Sequence, residues 1–361
     1  MDVTTLNVLN LAAILGHRLN DLSMYALADL SIGQTMTGLA TLVSRRVLRD
    51  RGHGLEFVNE LVRTAAYLGV PSPLRRALHS GIADRFIQEE EKGSEALGLQ
   101  IAWHCTRAGR LSEATPYLLR GARDALRRGA PYSAERALAT AVPSLEGGDR
   151  NDALLLLAEA LQEQARWQDS LEVLEQASIA NNASQTDLMY VLTTIAQRRL
   201  SFLDQEQLGE IPPKLLNFIK TPGPSSSRVR AAVEAASILN ILRYRGLTGA
   251  LLEATSVLES SRLEDDDRCQ LLLARAMLLY NHRCHDASIK EIETSLEFLK
   301  KGGAANSVVA RLYSGLGINY SAQGSYALAI PWLQRAYNTS LCIGSDPVCE
   351  QAAGNLSLMH T

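Results

Sequence analysis

Long hydrophobic runs, aromatic residues and lysines are all scarce in this 361-residue chain. Aromatics make up 5% of it, only six of its 36 cationic residues are lysines, and its formal net charge is -3. The most apolar stretches are broken by charge well short of the roughly 18 residues that mark a membrane span. This composition excludes disordered, collagen-like and membrane-spanning proteins and gives no overall electrostatic footprint for nucleic acid. We therefore predict no membrane contact and consider nucleic acid an improbable partner.

Signals for secretion and catalysis are absent too. Asp2 stands where a signal peptide would be basic, and the five cysteines are odd in number and widely scattered, so we predict a reduced, cytoplasmic protein. The sequence has no nucleophile elbow, no H-E-x-x-H motif and no evident carboxylate pair. His282, Cys284 and His285 have metal-ligand side chains, but a structural zinc site needs four ligands. We predict no catalytic residue, no metal and no cofactor in this chain.

What the chain does contain is helical periodicity, clearest near its C-terminal end. Two amphipathic segments meet at a glycine turn, with small residues where the helices approach and large residues between them. The predicted packing residues are Leu316, Gly317, Tyr320, Gly324, Tyr326, Ala329, Leu333 and Ala336. This helical hairpin resembles a tetratricopeptide (TPR) repeat, whose period is about 34 residues.

The same pattern recurs upstream in weaker form. Ala158, Trp167, Leu174 and Ala177 repeat it, and turns precede Tyr132, Thr248 and His285. Because alternating strand patterns are nearly absent, we predict an all-α fold: a TPR-like α-solenoid of antiparallel helix pairs over residues 86–361. We expect a surface loop near 221–227, and the last repeat appears as a single helix over 351–361, without its partner.

Residues 1–85 follow a different order. Three short apolar-periodic segments precede two strand-like pieces around the turn Arg51–Gly54. Helix, helix, helix, hairpin is the order of a winged helix, so we predict a small winged-helix-like domain here.

Trp103, Trp167 and Trp332 fall at hairpin packing positions, and we assign them to the core.

The order of these parts resembles the region that follows the ATPase in STAND signal-transduction ATPases. Those include MalT- and LuxR-type large regulators and cyclase-associated ATPases. The matching phrases are Phe57–Tyr67, Pro73–His79, Ile82–Arg85, Ala102–His104 and Ala108–Ala114. The resemblance implies a winged-helix relay over 1–85 followed by a sensor array.

Two features depart from that family. The dipeptide Gly-Lys occurs nowhere, so the phosphate-binding loop is missing, and ATP would bind only to a full-length parent. The family commonly has a His two residues after the Phe, placed to sense nucleotide, and Asn59 stands there instead. We expect the chain to be a fragment or split product of a larger regulator.

These observations lead to a non-enzymatic module that binds a protein or small inducer on the concave face of its repeats. The resemblance adds the parent's ATPase module as a partner, in cis or in trans. Candidate groove positions are Arg275, Asn281, Arg311 and Asn319. The alternative is a DNA-binding transcription regulator whose contacts come from Arg45, Arg46, Arg49 and Arg51, although these cations sit at a helix end and in the wing, where a solvated helix C-terminus is the plainer explanation.

Overall fold

In the computed structural model of the chain, the described residues are 2–91, 97–179, 186–200, 204–222, 225–261, 263–302, 307–343 and 346–357. They form two compact units that divide between Gly121 and Ala122. Of the residues described, no helix is both long and apolar enough to cross a membrane.

The N-terminal unit begins with the element order that the sequence predicts. Its elements are α1 (Val3–Leu15), 3-10 helices Gly16–Arg18 and Leu22–Ala28, α2 (Ile32–Ser44), β1 (Leu48–Asp50), β2 (Leu55–Phe57), α3 (Glu60–Gly69), α4 (Ser72–Glu91), α5 (Gly98–Ala108) and α6 (Leu111–Arg127). The strands pair antiparallel, with Leu48 opposite Phe57. The second predicted helix is a 3-10 helix, and the assignment of these elements to a winged helix stays a prediction.

Side-chain caps define where the first helices start. Asp2 accepts a hydrogen bond from the Thr5 amide at 2.8 Å to cap α1. Ser31 and Gln34 form a reciprocal capping box at the start of α2. These bonds satisfy backbone amides that have no partner within the helix, which is why a short polar residue precedes each apolar run.

The core of the N-terminal unit extends beyond the predicted boundary at residue 85. Leu97, Ile101, Cys105 and Ala114 are buried in the same cluster as the α1 side chains. Helices α5 and α6 also approach closely, since a Cβ on Gly98 would lie 2.8 Å from the Gly121 Cα. The first predicted hairpin of the array therefore packs within the N-terminal unit, and the functional division at 85/86 stays a prediction.

The C-terminal unit is built entirely of helices over its described residues. After the end of α6 these are α7 (Pro131–Ala141), 3-10 helix Val142–Ser144, α8 (Gly147–Glu163), α9 (Trp167–Ile179), α10 (Thr186–Leu200), α11 (Gln205–Gly209), α12 (Ile211–Lys220), α13 (Ser225–Leu242), α14 (Thr248–Glu259), α15 (Asp265–Asn281), α16 (His285–Gly302), α17 (Ser307–Ala322), α18 (Tyr326–Ile343) and α19 (Asp346–Ser357). The predicted all-α repeat fold is confirmed.

The hairpin of α17 and α18 shows why small residues recur. A Cβ built on Gly317 would lie 2.5 Å from the Leu333 Cγ, so no larger residue fits unless the Leu333 side chain or the helices move. Gly324 makes the turn with φ +76°, in the left-handed region that favours glycine. Leu316, Ala329, Leu333 and Ala336 are buried, as are Ala158, Leu174 and Ala177 of the α8–α9 hairpin.

The structure differs from the prediction in the burial of one tyrosine and in the bounds of a loop and of the last helix. Tyr326 is 57% exposed and does not fill the space between the helices, whereas Tyr320 is half-buried. The predicted loop 221–227 is shorter, because α13 already begins at Ser225 and Ser227 is buried. Residues 223 and 224 lie outside the described part. The last helix starts at Asp346 rather than 351, and residues 358–361 are likewise outside it.

Candidate binding cavity

The repeats of the C-terminal unit line an open cavity of about 1300 Å³. Residues of α8, α13, α15 and α17 line most of it, with contributions from α6, α10 and α19. Most of these are first helices of the predicted pairs. Its lining is polar and charged as well as apolar, and Trp167 and Tyr280 are its aromatic residues.

Buried amides tie successive hairpins together beside this cavity. The Gln162 Nε2 donates to Ser170 Oγ at 3.1 Å and to the Leu192 carbonyl at 2.9 Å. The Asn281 Nδ2 donates to the Tyr244 carbonyl at 2.7 Å. The Asn319 Nδ2 donates to Ser288 Oγ at 3.0 Å. Because a buried polar group is costly when unpaired, these bonds fix the register between neighbouring hairpins.

Two of the predicted groove residues, Asn281 and Asn319, therefore hold neighbouring hairpins together, since their side chains already form hydrogen bonds within the protein. Arg275 is also occupied, because it pairs with Glu291 at 2.9 Å and with Glu259 at 3.1 Å. Arg311 does line the cavity.

One group of charged cavity residues is mainly acidic and includes Glu264, Asp266 and Asp267. Arg127 pairs with Glu264 at 2.5 Å and with Asp266 at 2.9 Å. Burial raises the pKa values of Asp266 and Asp267, against the opposing effects of nearby arginines. The run Asp265–Asp267 looks like a solvated helix start in the sequence, but in the structure two of its side chains are half-buried in the cavity wall.

A second group of charged residues contains Arg199 and Arg311, which line the cavity. Arg198 and Glu234 form a buried ion pair whose side chains are 6% and 8% exposed. Arg199 lies next to it, with its guanidinium carbon 5.4 Å from the centre of the Trp167 ring. Desolvation, together with the charges of Arg198 and Arg311, lowers the pKa of Arg199. Sequence reasoning did not single out Arg199, because no local pattern marks a residue whose surroundings come from distant helices.

Asn240 adds an unpaired acceptor to the cavity lining. Its Oδ1 is buried and has no hydrogen-bond partner among the described residues, and the residue lines the cavity from α13. A buried carbonyl oxygen without a donor costs free energy. A donor supplied by a ligand or by water would remove that cost.

In the N-terminal unit, the predicted DNA-contacting arginines are partly neutralised. Arg49 and Arg51 both pair with Glu56, at 2.5 and 2.6 Å. Arg45 is the C-cap of α2 and Arg46 follows with φ +57°. Glu56 thus offsets positive charge that phosphate contacts would require.

Asn59, the predicted nucleotide-sensing position, caps α3. Its Oδ1 accepts a hydrogen bond from the Val62 amide at 2.8 Å. Asparagine is among the residues preferred at such a cap, which accounts for its presence without a ligand.

A histidine pair joins three helices of the N-terminal unit. His79 on α4 and His104 on α5 are 0% and 4% exposed, and their Nδ1 atoms are 2.9 Å apart. The Tyr67 hydroxyl on α3 lies 3.1 Å from the His79 Nε2. Burial lowers the pKa of His79 to about 4 and that of His104 to about 3. The pair is too enclosed to meet a substrate.

Trp103 covers part of this pair, with ring centres 5.0 Å from His79 and 4.6 Å from His104. It is 41% exposed, so the prediction that it belongs to the core is wrong. Trp167 and Trp332 are half-buried. In the part of the chain that the structure describes, no three His, Cys, Asp or Glu side chains are grouped to hold a metal ion.

Comparison with known proteins supports the repeat fold. No family model and no curated protein matches the sequence. The crystal structure of a STAND protein with a tetratricopeptide repeat sensor from Pyrococcus horikoshii is similar, with a TM-score of 0.54 and 12% identity over 99% of this chain. The chain spans 54% of that protein's length. At this identity the likeness shows the fold alone.

A tetratricopeptide repeat protein from Parabacteroides merdae is more distant. Its TM-score is 0.32 and its identity 18%, over 68% of this chain and 99% of that one.

Proposed function

We propose that this chain is the non-enzymatic sensor region of a bacterial STAND-type regulator in the cytoplasm. In this proposal, residues 1–85 are a winged-helix relay, and the repeats bind a protein or a small inducer. Binding would restrain or release the ATPase module of the parent, in cis or in trans, and so control a signalling or transcriptional output. The observation that carries the proposal is the cavity of about 1300 Å³ between the repeat helices.

The composition of the cavity supports a binding role. Small-molecule sites are commonly concave, of about 300–1000 Å³, with a few convergent polar groups in a partly apolar lining. This cavity is larger, and it contains charged side chains, two aromatic rings and the unpaired Asn240 acceptor. The missing phosphate-binding loop leaves ATP turnover to the parent.

The test is site-specific photocrosslinking in cells of the source organism. The crosslinker p-benzoylphenylalanine replaces Ser237 or Gln270, which line the cavity, or Val257, which is 61% exposed and does not line it. We expect adducts at the two cavity positions and not at position 257, as read by intact mass and by gel mobility. Equal labelling at all three positions, or labelling at 257 alone, would contradict the proposal. The purified chain should also release no phosphate from ATP.

A further inference from the structure

The charged residues of the cavity fall into two groups that interact separately. The first contains Glu159, Glu163, Glu264, Asp266 and Asp267, with Arg127 and Arg230 among them, and Arg123 lies one turn before Arg127. The second contains Arg199, Arg311, Glu234 and Glu350. None of the interactions resolved for Asp266, Asp267, Arg199 and Arg230 reaches a residue of the other group.

The positive charge of the second group lacks close partners. Both oxygens of Glu234 already accept hydrogen bonds from Arg198, one from its Nε and the other from its Nη2 at 3.1 Å. Arg198 therefore offsets most of the negative charge that Glu234 could offer to Arg199. Neither Arg199 nor Arg311 has a carboxylate within ion-pair distance among the described residues, and Glu350 acts on Arg199 only from farther away.

The Arg199 guanidinium is nevertheless held in place. Its carbon lies over the Trp167 ring, 5.4 Å from the ring centre, and Trp167 itself lines the cavity at the start of α9. A cation–π contact does not consume the N–H donors of the guanidinium, whose planar fork matches the oxygens of a carboxylate or a phosphate. Desolvation of the guanidinium and the charges of Arg198 and Arg311 lower the pKa of Arg199, although the side chain still keeps part of its surface exposed.

We propose that the cavity binds an oxyanion, the carboxylate or phosphate group of a ligand, between Arg199 and Arg311. This inference rests on the proposed binding role of the cavity and names the chemistry of its ligand. An anion gains here because it meets two guanidinium groups in one concave surface, where charge-assisted hydrogen bonds are stronger than those between neutral groups. The acidic group repels it from the rest of the cavity and so fixes where it binds.

The test titrates the whole chain with inorganic phosphate, pyrophosphate or citrate at constant ionic strength. Tryptophan fluorescence includes the signal of Trp167 beside that of Trp103 and Trp332, and the thermal midpoint gives a second readout. We expect saturable binding of at least one anion below about 10 mM. Preference for citrate would indicate a carboxylate ligand, and preference for phosphate or pyrophosphate would indicate a phosphorylated one.

Three variants locate the site. Arg199→Gln and Arg311→Gln should each weaken the binding by about tenfold or more, since each removes a charged donor. Arg335→Gln is the matched control, because Arg335 stacks over Trp332 at 4.8 Å but does not line the cavity. It should leave the affinity unchanged. If Arg199→Gln fails to fold, as judged by circular dichroism, Arg311→Gln decides the question.

Three results would overturn the inference: no saturable binding of any of the three anions, unchanged affinity in Arg311→Gln, or an equal loss in Arg335→Gln. The crosslinking experiment separates this failure from failure of the proposed function. Adducts at Ser237 and Gln270 without anion binding would leave the cavity as a binding site and reject only its oxyanion chemistry.

Discussion

Acidification should destabilise the N-terminal unit through its buried histidine pair. The facing Nδ1 atoms of His79 and His104 share one hydrogen bond, which requires a donor on one ring and an acceptor on the other. Full protonation of both rings would place two N–H groups against each other in the core. Burial lowers both pKa values, and for His79 the charges of Arg107 and Arg75 add to this effect.

The sign and size of the effect follow from proton linkage. Because the folded pKa values, about 4 and about 3, lie below the ordinary value, the unfolded chain takes up protons first as the pH falls. The stabilisation is fully present above about pH 6.5 and is lost as the pH falls toward 4. In that window each histidine lowers the free energy of unfolding by roughly 1.4 kcal/mol per pH unit, so the pair lowers it by on the order of 4 kcal/mol by pH 5.

Two measurements check this prediction. In NMR titrations of histidine-labelled protein, the ring signals of His79 and His104 should stay in the neutral form down to about pH 5. The second measurement is denaturant unfolding followed by Trp103 fluorescence, with the other two tryptophans replaced by Phe. The free energy of unfolding should fall with falling pH in the native chain, and about half as steeply in His104→Gln. Replacement of the exposed His53 by Gln is the control. Ring signals of the pair that titrate near pH 6.5, or equal pH dependence in His104→Gln, would refute the reasoning.

Three further predictions concern packing, a buried charge and a cap. Gly317→Leu should lower the free energy of unfolding by about 1–3 kcal/mol through overpacking. Gly249→Leu is the control and should cost much less, because a Cβ there meets no atom within 4 Å. Equal thermal midpoints in the two variants would contradict the close helix approach. Arg198→Met should cost about 3–5 kcal/mol in denaturant unfolding because it leaves a buried carboxylate unpaired, and adding Glu234→Leu should restore most of the loss. Asn59→Ala should cost about 1 kcal/mol and Asn59→Asp almost nothing, since both Asn and Asp cap helices; equal losses in urea unfolding would argue against capping.

Much of the fold was predictable because helical hairpins are encoded locally. The apolar period, the turn at Gly324 and the small residue Gly317 lie within one stretch of chain, and together they predict two closely packed helices. The order of helices followed by a strand hairpin at the N-terminus was predictable in the same way, although local pattern did not distinguish the 3-10 helix Leu22–Ala28 from an α-helix.

Exposure of large residues was harder to predict. Trp103 and Tyr326 occupy positions of the apolar period, yet 41% and 57% of their surface is exposed. The period tells which face of a helix a residue lies on, but not whether a neighbouring helix covers that face. That depends on how far the adjacent repeat reaches.

The sequence by itself determined that this chain forms helices in antiparallel pairs, since those interactions join residues a few turns apart. Only the tertiary structure decided that Arg199 and Arg311, more than 100 residues apart in the chain, line the same cavity and interact electrostatically. It also decided that Arg198 is neutralised by Glu234 while its neighbour Arg199 is not. The physical reason is that a side chain's burial and charge balance are set by all the helices around it, and no local pattern contains those neighbours.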